Sequence, residues 1–267
     1  MTQNKYKTIL YNKENQVAKI ILDRPKVHNA FNSTMISEML DVLTGIKNDS
    51  SVRVIVLTGK GKSFCAGADL NWMKEIINYS FDQNLKESLE IAELLYAIYS
   101  VPKPTIAQVN GTAIGGGVGF LSACDMVLAA SKAKFGLSEV KIGLIPAAIS
   151  PYVVRRVGES KAREYFLTGE RITAERGEEI GLVNHVFPYD NLEQETKNTV
   201  NRLLSSGPNA LANCKELLFK VPQISLNEAK EFTAKMIANL RISDEGQEGM
   251  AAFLEKRKPG WISDNKE

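Results

Sequence analysis

The sequence predicts an α/β fold, and three observations carry the prediction. First, several short runs are dense in β-branched and aliphatic residues: VAKIIL at 17–22, VRVIVL at 52–57, TIAQV at 105–109 and MVLAA at 126–130. Such near-continuous apolar runs suit strands buried on both faces of a parallel sheet. Second, stretches with helical spacing fall between them, notably 33–46 and 85–99. Third, glycine and proline punctuate the junctions, as at Asp23-Arg24-Pro25, Asn110-Gly111 and Val101-Pro102-Lys103-Pro104. Alternation of this kind layers helices on a sheet.

Taken in order, the strand 17–22 stops at Pro25, which cannot extend a ladder. Ile36, Leu40, Leu43 and Ile46 then form one apolar helical face. The strand 52–57 leads into the basic turn TGKGKS at 58–63. This turn resembles the end of a phosphate-binding loop, but Val56 stands where that motif needs its first glycine. Residues 65–68 are small and precede Asp69, a pattern that suits close backbone approach to a ligand and equally a tight strand-to-helix turn capped by Asp69. A helix over 85–99, the strand 105–109, an apolar segment 118–124 and the strand 126–130 follow. Helices are expected at 151–157, 161–167, 190–204, 208–219, 226–239 and 244–256, with no strand after about residue 200. Residues 1–199 are therefore read as the core carrying the active site, and 200–267 as a helical appendage.

Composition excludes several classes. The 267 residues are 44% hydrophobic and 24% charged, with formal net charge +2, an ordinary globular balance too weakly basic to argue for nucleic acid. Cys65, Cys124 and Cys214 are too scattered for a disulfide framework or a zinc site, which suits a reducing compartment. The first ten residues lack the apolar centre of a signal peptide. The longest uncharged apolar run, 111–124, is interrupted by glycines and shorter than the ~20 residues of a membrane helix. A cytoplasmic protein, with no membrane and no nucleic-acid partner, is expected.

The chemistry concentrates between Pro104 and Pro146. Gly115, Gly116 and Gly117 stand in series before a short apolar segment, and Glu139 follows downstream. Serial glycines let backbone N–H groups approach a ligand without Cβ obstruction. A helix starting there adds free N–H groups and partial positive charge, suited to an enolate oxygen. The neighbours of Glu139 (Phe135, Leu137, Val140, Ile142) are mostly apolar, which would raise its carboxyl toward the range of a general acid–base. Spacing alone leaves a second reading open, a solvated acid beside Lys141. His28 and His185 are expected in structural roles, since no G-x-S-x-G elbow accompanies them. No metal-binding pattern is present, so no metal is expected.

Three blocks, FCAGADL at 64–70, VNGTAIGGGVGFLSACDMVLA at 109–129 and FGLSEVKIGLIP at 135–146, resemble the signature blocks of the crotonase (enoyl-CoA hydratase/isomerase) superfamily. The likeness runs from DRPKVHNAF at 23–31 to MAAFLEKRKP at 250–259. It implies a spiral of ββα units with a helical C-terminal trimerisation region, assembly as a homotrimer or hexamer, an acyl-CoA substrate, and no cofactor beyond the coenzyme A of that substrate. Carried over by position, Ala66 and Gly116 offer the N–H groups for the thioester oxygen, and Glu139 is the acid–base. Ala66, Gly67, Ala68, Asp69 and Leu70 resemble the adenine contact, Lys26 and Val27 line the pantetheine and phosphate side, and Phe253 and Lys256 cover a neighbouring subunit's nucleotide.

One position departs. The pattern's first glutamate is Gly119 here, while the second is retained as Glu139. Isomerases of the superfamily resemble this single-glutamate arrangement. CAGADLNWMK at 65–74 and IGLIPAAISPYVVRRVGES at 142–160 resemble bacterial 3-methylglutaconyl-CoA hydratases of leucine breakdown. The expected activity is therefore a hydro-lyase on a branched or carboxylated enoyl-CoA, with double-bond isomerisation or decarboxylation as alternatives and RNA binding as a non-enzymatic one. The space left at Gly119 is expected to take an ordered water or the substrate's distal carboxylate. Asn71, Trp72 and Met73 shape the acyl pocket or serve as ordinary helix-start residues.

Overall fold

A computed structural model describes residues 5–262. The strands are β1 (Ile9–Glu14), β2 (Val17–Leu22), β3 (Val54–Gly59), β4 (Ser63–Cys65), β5 (Thr105–Val109), β6 (Thr112–Ile114), β7 (Met126–Ala130), β8 (Lys134–Gly136), β9 (Arg171–Thr173) and β10 (His185–Phe187). The helices are α1 (Ser33–Lys47), α2 (Leu70–Ile76), α3 (Phe81–Ser100), α4 (Gly116–Ala123), α5 (Ser150–Thr168), α6 (Ala174–Glu179), α7 (Leu192–Leu204), α8 (Pro208–Lys220), α9 (Leu226–Ile242) and α10 (Asp244–Leu254).

The chain divides into two units, with the division inside α7. The larger holds the chain up to Val101 and Thr105–Lys197; the smaller holds Pro102–Pro104 and the chain from Asn198 on. In the larger unit, β1-β2-β3-β5-β7-β10 form one sheet and β4-β6-β8-β9 a second. Every pairing is parallel except β1 with β2 and β8 with β9. β3 and β5 are buried along their whole length, as their unbroken apolar runs require. One core cluster joins the first sheet to α1, α3 and α4 through Ile20, Met35, Met39, Leu57, Leu94 and Phe120.

Turn and cap chemistry fixes the connections. Asn32 caps α1, and Ser80 with Gln83 forms a reciprocal capping box on α3. The segments expected at 151–157 and 161–167 are merged in α5, where Gly158 breaks the helical backbone at φ 74°. Within α5, the half-buried Arg156 has no carboxylate partner among the described residues. It donates instead to the carbonyls of Ser122 (3.2 Å), Cys124 (2.8 Å), Asp125 (3.1 Å) and Leu182 (3.3 Å), closing the C-terminal end of α4. Arg156→Met would strand these carbonyls, each unsatisfied group costing about 1–3 kcal/mol. A urea unfolding curve is expected to lose at least about 3 kcal/mol, with activity unaffected while the protein stays folded.

The smaller unit is helical. Ser225 and Glu228 form a capping box on α9. The N-terminus of α8 is closed by Glu245 of α10, which accepts from the N–H groups of Asn209 (2.9 Å) and Ala210 (2.8 Å). Trp261 donates to the Ser205 carbonyl at 3.1 Å. Among the described residues no helix is long and apolar enough to cross a membrane. The N-terminal stretch read for a leader lies partly outside the described residues.

Candidate active site

The three parallel neighbours β4, β6 and β8 bring the three motif blocks to one edge. β4 pairs with β6 (Ser63↔Thr112, Cys65↔Ala113) and β6 with β8 (Ala113↔Phe135, Ile114↔Gly136). Beyond their C-terminal ends lie residues 66–69, 115–117 and 137–139, the edge where parallel sheets present ligand sites. The Gly115 N–H donates to the Gly136 carbonyl at 2.8 Å, tying the second and third segments. A Cβ on Gly67 (φ 93°) would stand 3.1 Å from the Ile114 carbonyl oxygen, so the first and second segments also touch.

Glu139 opens a one-turn 3-10 helix, Glu139–Ile142, closed by Gly143 in the left-handed region. Its carboxylate lies over Gly115, where a Cβ would be 3.1 Å from Oε1; with φ 51°, that position favours glycine on both counts. Oε2 is buried with no hydrogen-bond partner among the described residues. Burial raises the Glu139 carboxyl above its ordinary value, against a smaller opposing effect of its own N–H. A buried, unpaired carboxylate oxygen beside a helix start is an unsatisfied group that a ligand could complete.

Gly116 is the first residue of α4, so its N–H has no intrahelical acceptor. The Phe31 ring packs over it, and a Cβ there would stand 2.7 Å from Phe31 Cζ. Phe31 is itself held by Phe120 (centroids 5.2 Å apart) and edge-on by Trp72 (5.7 Å).

The expected second donor requires correction. The Ala66 N–H is engaged by the His28 carbonyl at 3.0 Å. Ala68 pairs with Phe31 in an isolated parallel bridge, in which the Phe31 N–H reaches Gly67 O and the Asp69 N–H reaches Phe31 O, each at 2.8 Å. In such a bridge the flanking residues make the bonds and the central residue's own N–H points away. The Ala68 N–H has no hydrogen-bond partner among the described residues. The sequence showed the small residues but not the direction of their N–H groups, which the pairing with Phe31 sets.

Gly119 requires a second correction. A Cβ there would stand 3.0 Å from Ile149 Cβ, closer still to Ile149 Cγ2, and 3.4 Å from Leu95 Cδ2. The space expected to hold water or a substrate carboxylate is filled by hydrocarbon. Asp69 is the helix cap of its alternative reading: Oδ1 accepts from the N–H groups of Asn71 (2.8 Å) and Trp72 (3.3 Å), and Oδ2 pairs with Arg24 at 2.7 Å. Burial alone would raise its carboxyl, but the Arg24 guanidinium and these N–H groups together hold it below the ordinary value.

Leu70 is exposed at the start of α2. Trp72 is buried and donates to Glu87 of α3 at 2.8 Å, a packing role; Asn71 is exposed and Met73 half-buried. Lys26 and Val27 lie exposed in the 3-10 turn Pro25–Val27. The His28 ring meets Ser63 Oγ at 3.0 Å, and His185 lies 3.9 Å from Glu178. Burial pushes the Cys65 thiol up to about 12, leaving it inert. Phe253 and Lys256 belong to the smaller unit and are exposed at and after the end of α10. Among the described residues no His/Cys/Asp/Glu group could hold a metal ion.

The profile of the enoyl-CoA hydratase/isomerase family matches residues 12–264. The chain belongs to the enoyl-CoA hydratase/isomerase family. A putative enoyl-CoA hydratase of Thermus thermophilus is 37% identical over 243 residues, covering 91% of this chain and 96% of that protein. The 2,3-dehydroadipyl-CoA hydratase of Escherichia coli is 32% identical over 254 residues, covering 94% and 97%. The crystal structure of an enoyl-CoA hydratase from Shewanella pealeana superposes with TM-score 0.93 at 40% identity, covering 96% of this chain and 97% of that one. The α/β fold is thus the crotonase fold, and this hydratase-family chain is an enzyme, a lyase.

Proposed function

We propose that this family member adds water to a β-branched 2-enoyl-CoA, with 3-methylglutaconyl-CoA as the leading candidate, and that Glu139 is its sole acid–base. The observation that carries the reading is the buried, partnerless Oε2 of Glu139 beside the start of α4. The carboxylate takes a proton from water as the water oxygen bonds to the β-carbon. The double-bond electrons move through the α-carbon onto the thioester oxygen, where the N–H groups of Ala68 and Gly116 hold the charge. Protonated Glu139 then returns the proton to the α-carbon as the thioester carbonyl re-forms, leaving the enzyme unchanged.

The diacid is supported by the resemblance of residues 65–74 and 142–160 to 3-methylglutaconyl-CoA hydratases, and by a relative named for a dicarboxylic enoyl-CoA. Lys26 and Val27 lie on the coenzyme A side, with Gly67 and Leu70 at the adenine. Phe253 and Lys256 reach a neighbouring subunit's nucleotide in a homotrimer or hexamer. The single carboxylate favours one second reading, double-bond isomerisation. Incubation with crotonyl-CoA and 3-methylglutaconyl-CoA followed by mass analysis separates them: a gain of one water is the expected product, no mass change marks isomerisation, and loss of carbon dioxide marks decarboxylation. Absence of any water adduct overturns the hydratase reading.

A further inference from the structure

Gly115 caps the N-terminus of α4 and Gly119 lies one turn on, its N–H donating to the Gly115 carbonyl at 3.1 Å. Glu139 lies against the first glycine, and Ile149 against the second. Ile149 immediately precedes α5 and is 4% exposed; Leu95 of α3 is fully buried beside it. One helical turn from the glycine under the carboxylate, Gly119 is therefore covered by hydrocarbon that offers no hydrogen bond. A carboxylate or a water there would be unpaired, at a cost that excludes it, whereas an alkyl branch would be at home.

We propose that Ile149 is a specificity-determining residue: seated against Gly119, it bars a second side chain from the site and provides the apolar wall for an alkyl branch on the acyl chain. This rests on the acyl-CoA reading above but not on the reaction being hydration. It also moves any distal carboxylate of the substrate away from Gly119.

Two measurements on the full chain test it. In a thermal-melting cycle, Gly119→Glu is expected to melt well below the wild type, and Gly119→Glu with Ile149→Gly to recover part of the loss, because the removed side chain makes room. If Ile149→Gly does not fold, Ile149→Ala takes its place. Additive effects, or a Gly119→Glu protein as stable as the wild type, would overturn the contact. In calorimetric titrations with butyryl-CoA and 3-methylbutyryl-CoA, neither of which needs to react, the wild-type preference for the branched thioester is expected to fall by about tenfold in Ile149→Ala. An unchanged ratio in the folded variant refutes the specificity role. Binding without turnover of any enoyl-CoA would remove the hydratase reading and leave Ile149 decided by the ratio; failure to bind either thioester would overturn both.

Discussion

Glu139→Gln is expected to lower turnover of the enoyl-CoA substrate by about 10²–10⁴-fold, the usual scale for a lost general acid–base. The same substitution is expected to raise the melting temperature at neutral pH, an outcome that separates a functional carboxylate from a structural one. Burial raises the Glu139 carboxyl above its ordinary value, and Oε2 has no partner among the described residues. The folded state therefore holds this group's proton more tightly than the unfolded chain does. Its favourable contribution is complete below the unfolded value and is lost as pH rises through the folded value. Scans at successive pH values should show the variant ahead at neutral pH and the gap closing in acid. Because water is activated by the ionised form, wild-type activity should fall on an acid limb centred above the ordinary glutamate value.

Gly116→Ala is expected to cost about 10²–10³-fold in kcat, the measured scale for removing one oxyanion donor. The new methyl would collide with the Phe31 ring, which Phe120 and Trp72 hold from two other sides. The start of α4 must then shift and re-aim its N–H. Adding Phe31→Ala should restore part of the rate in steady-state kinetics by freeing that space. A Gly116→Ala enzyme with full turnover would show that the Gly116 N–H does not meet the developing charge.

Much of this was legible because local and global preferences agree. The runs at 17–22, 105–109 and 126–130 became strands at those bounds, and Ser33–Lys47 kept its apolar face toward the core. The three-residue strands β4, β6 and β8 were not legible: too short for a periodicity signal, they exist through pairing with one another. Yet they gather the site. That the Ala66 N–H is engaged while the Ala68 N–H is not has the same origin, since the bridge to Phe31 decides which N–H points away. Gly119 shows the other limit. A missing side chain read along the chain resembles empty space, but Ile149, thirty residues on in the sequence, fills it. The upward direction of the Glu139 carboxyl was legible in the sequence and follows from its burial, whereas its seat over Gly115 came from β8 lying beside β6.

The most direct test leaves water addition aside and asks whether one carboxylate and the paired N–H groups make an enolate. Butyryl-CoA, which has no double bond, can be incubated with the enzyme in deuterium oxide and its α-carbon followed by proton NMR. The account predicts deuterium wash-in with the wild type, and loss of most of it in both Glu139→Gln and Gly116→Ala. Exchange that persists undiminished in Glu139→Gln would contradict it.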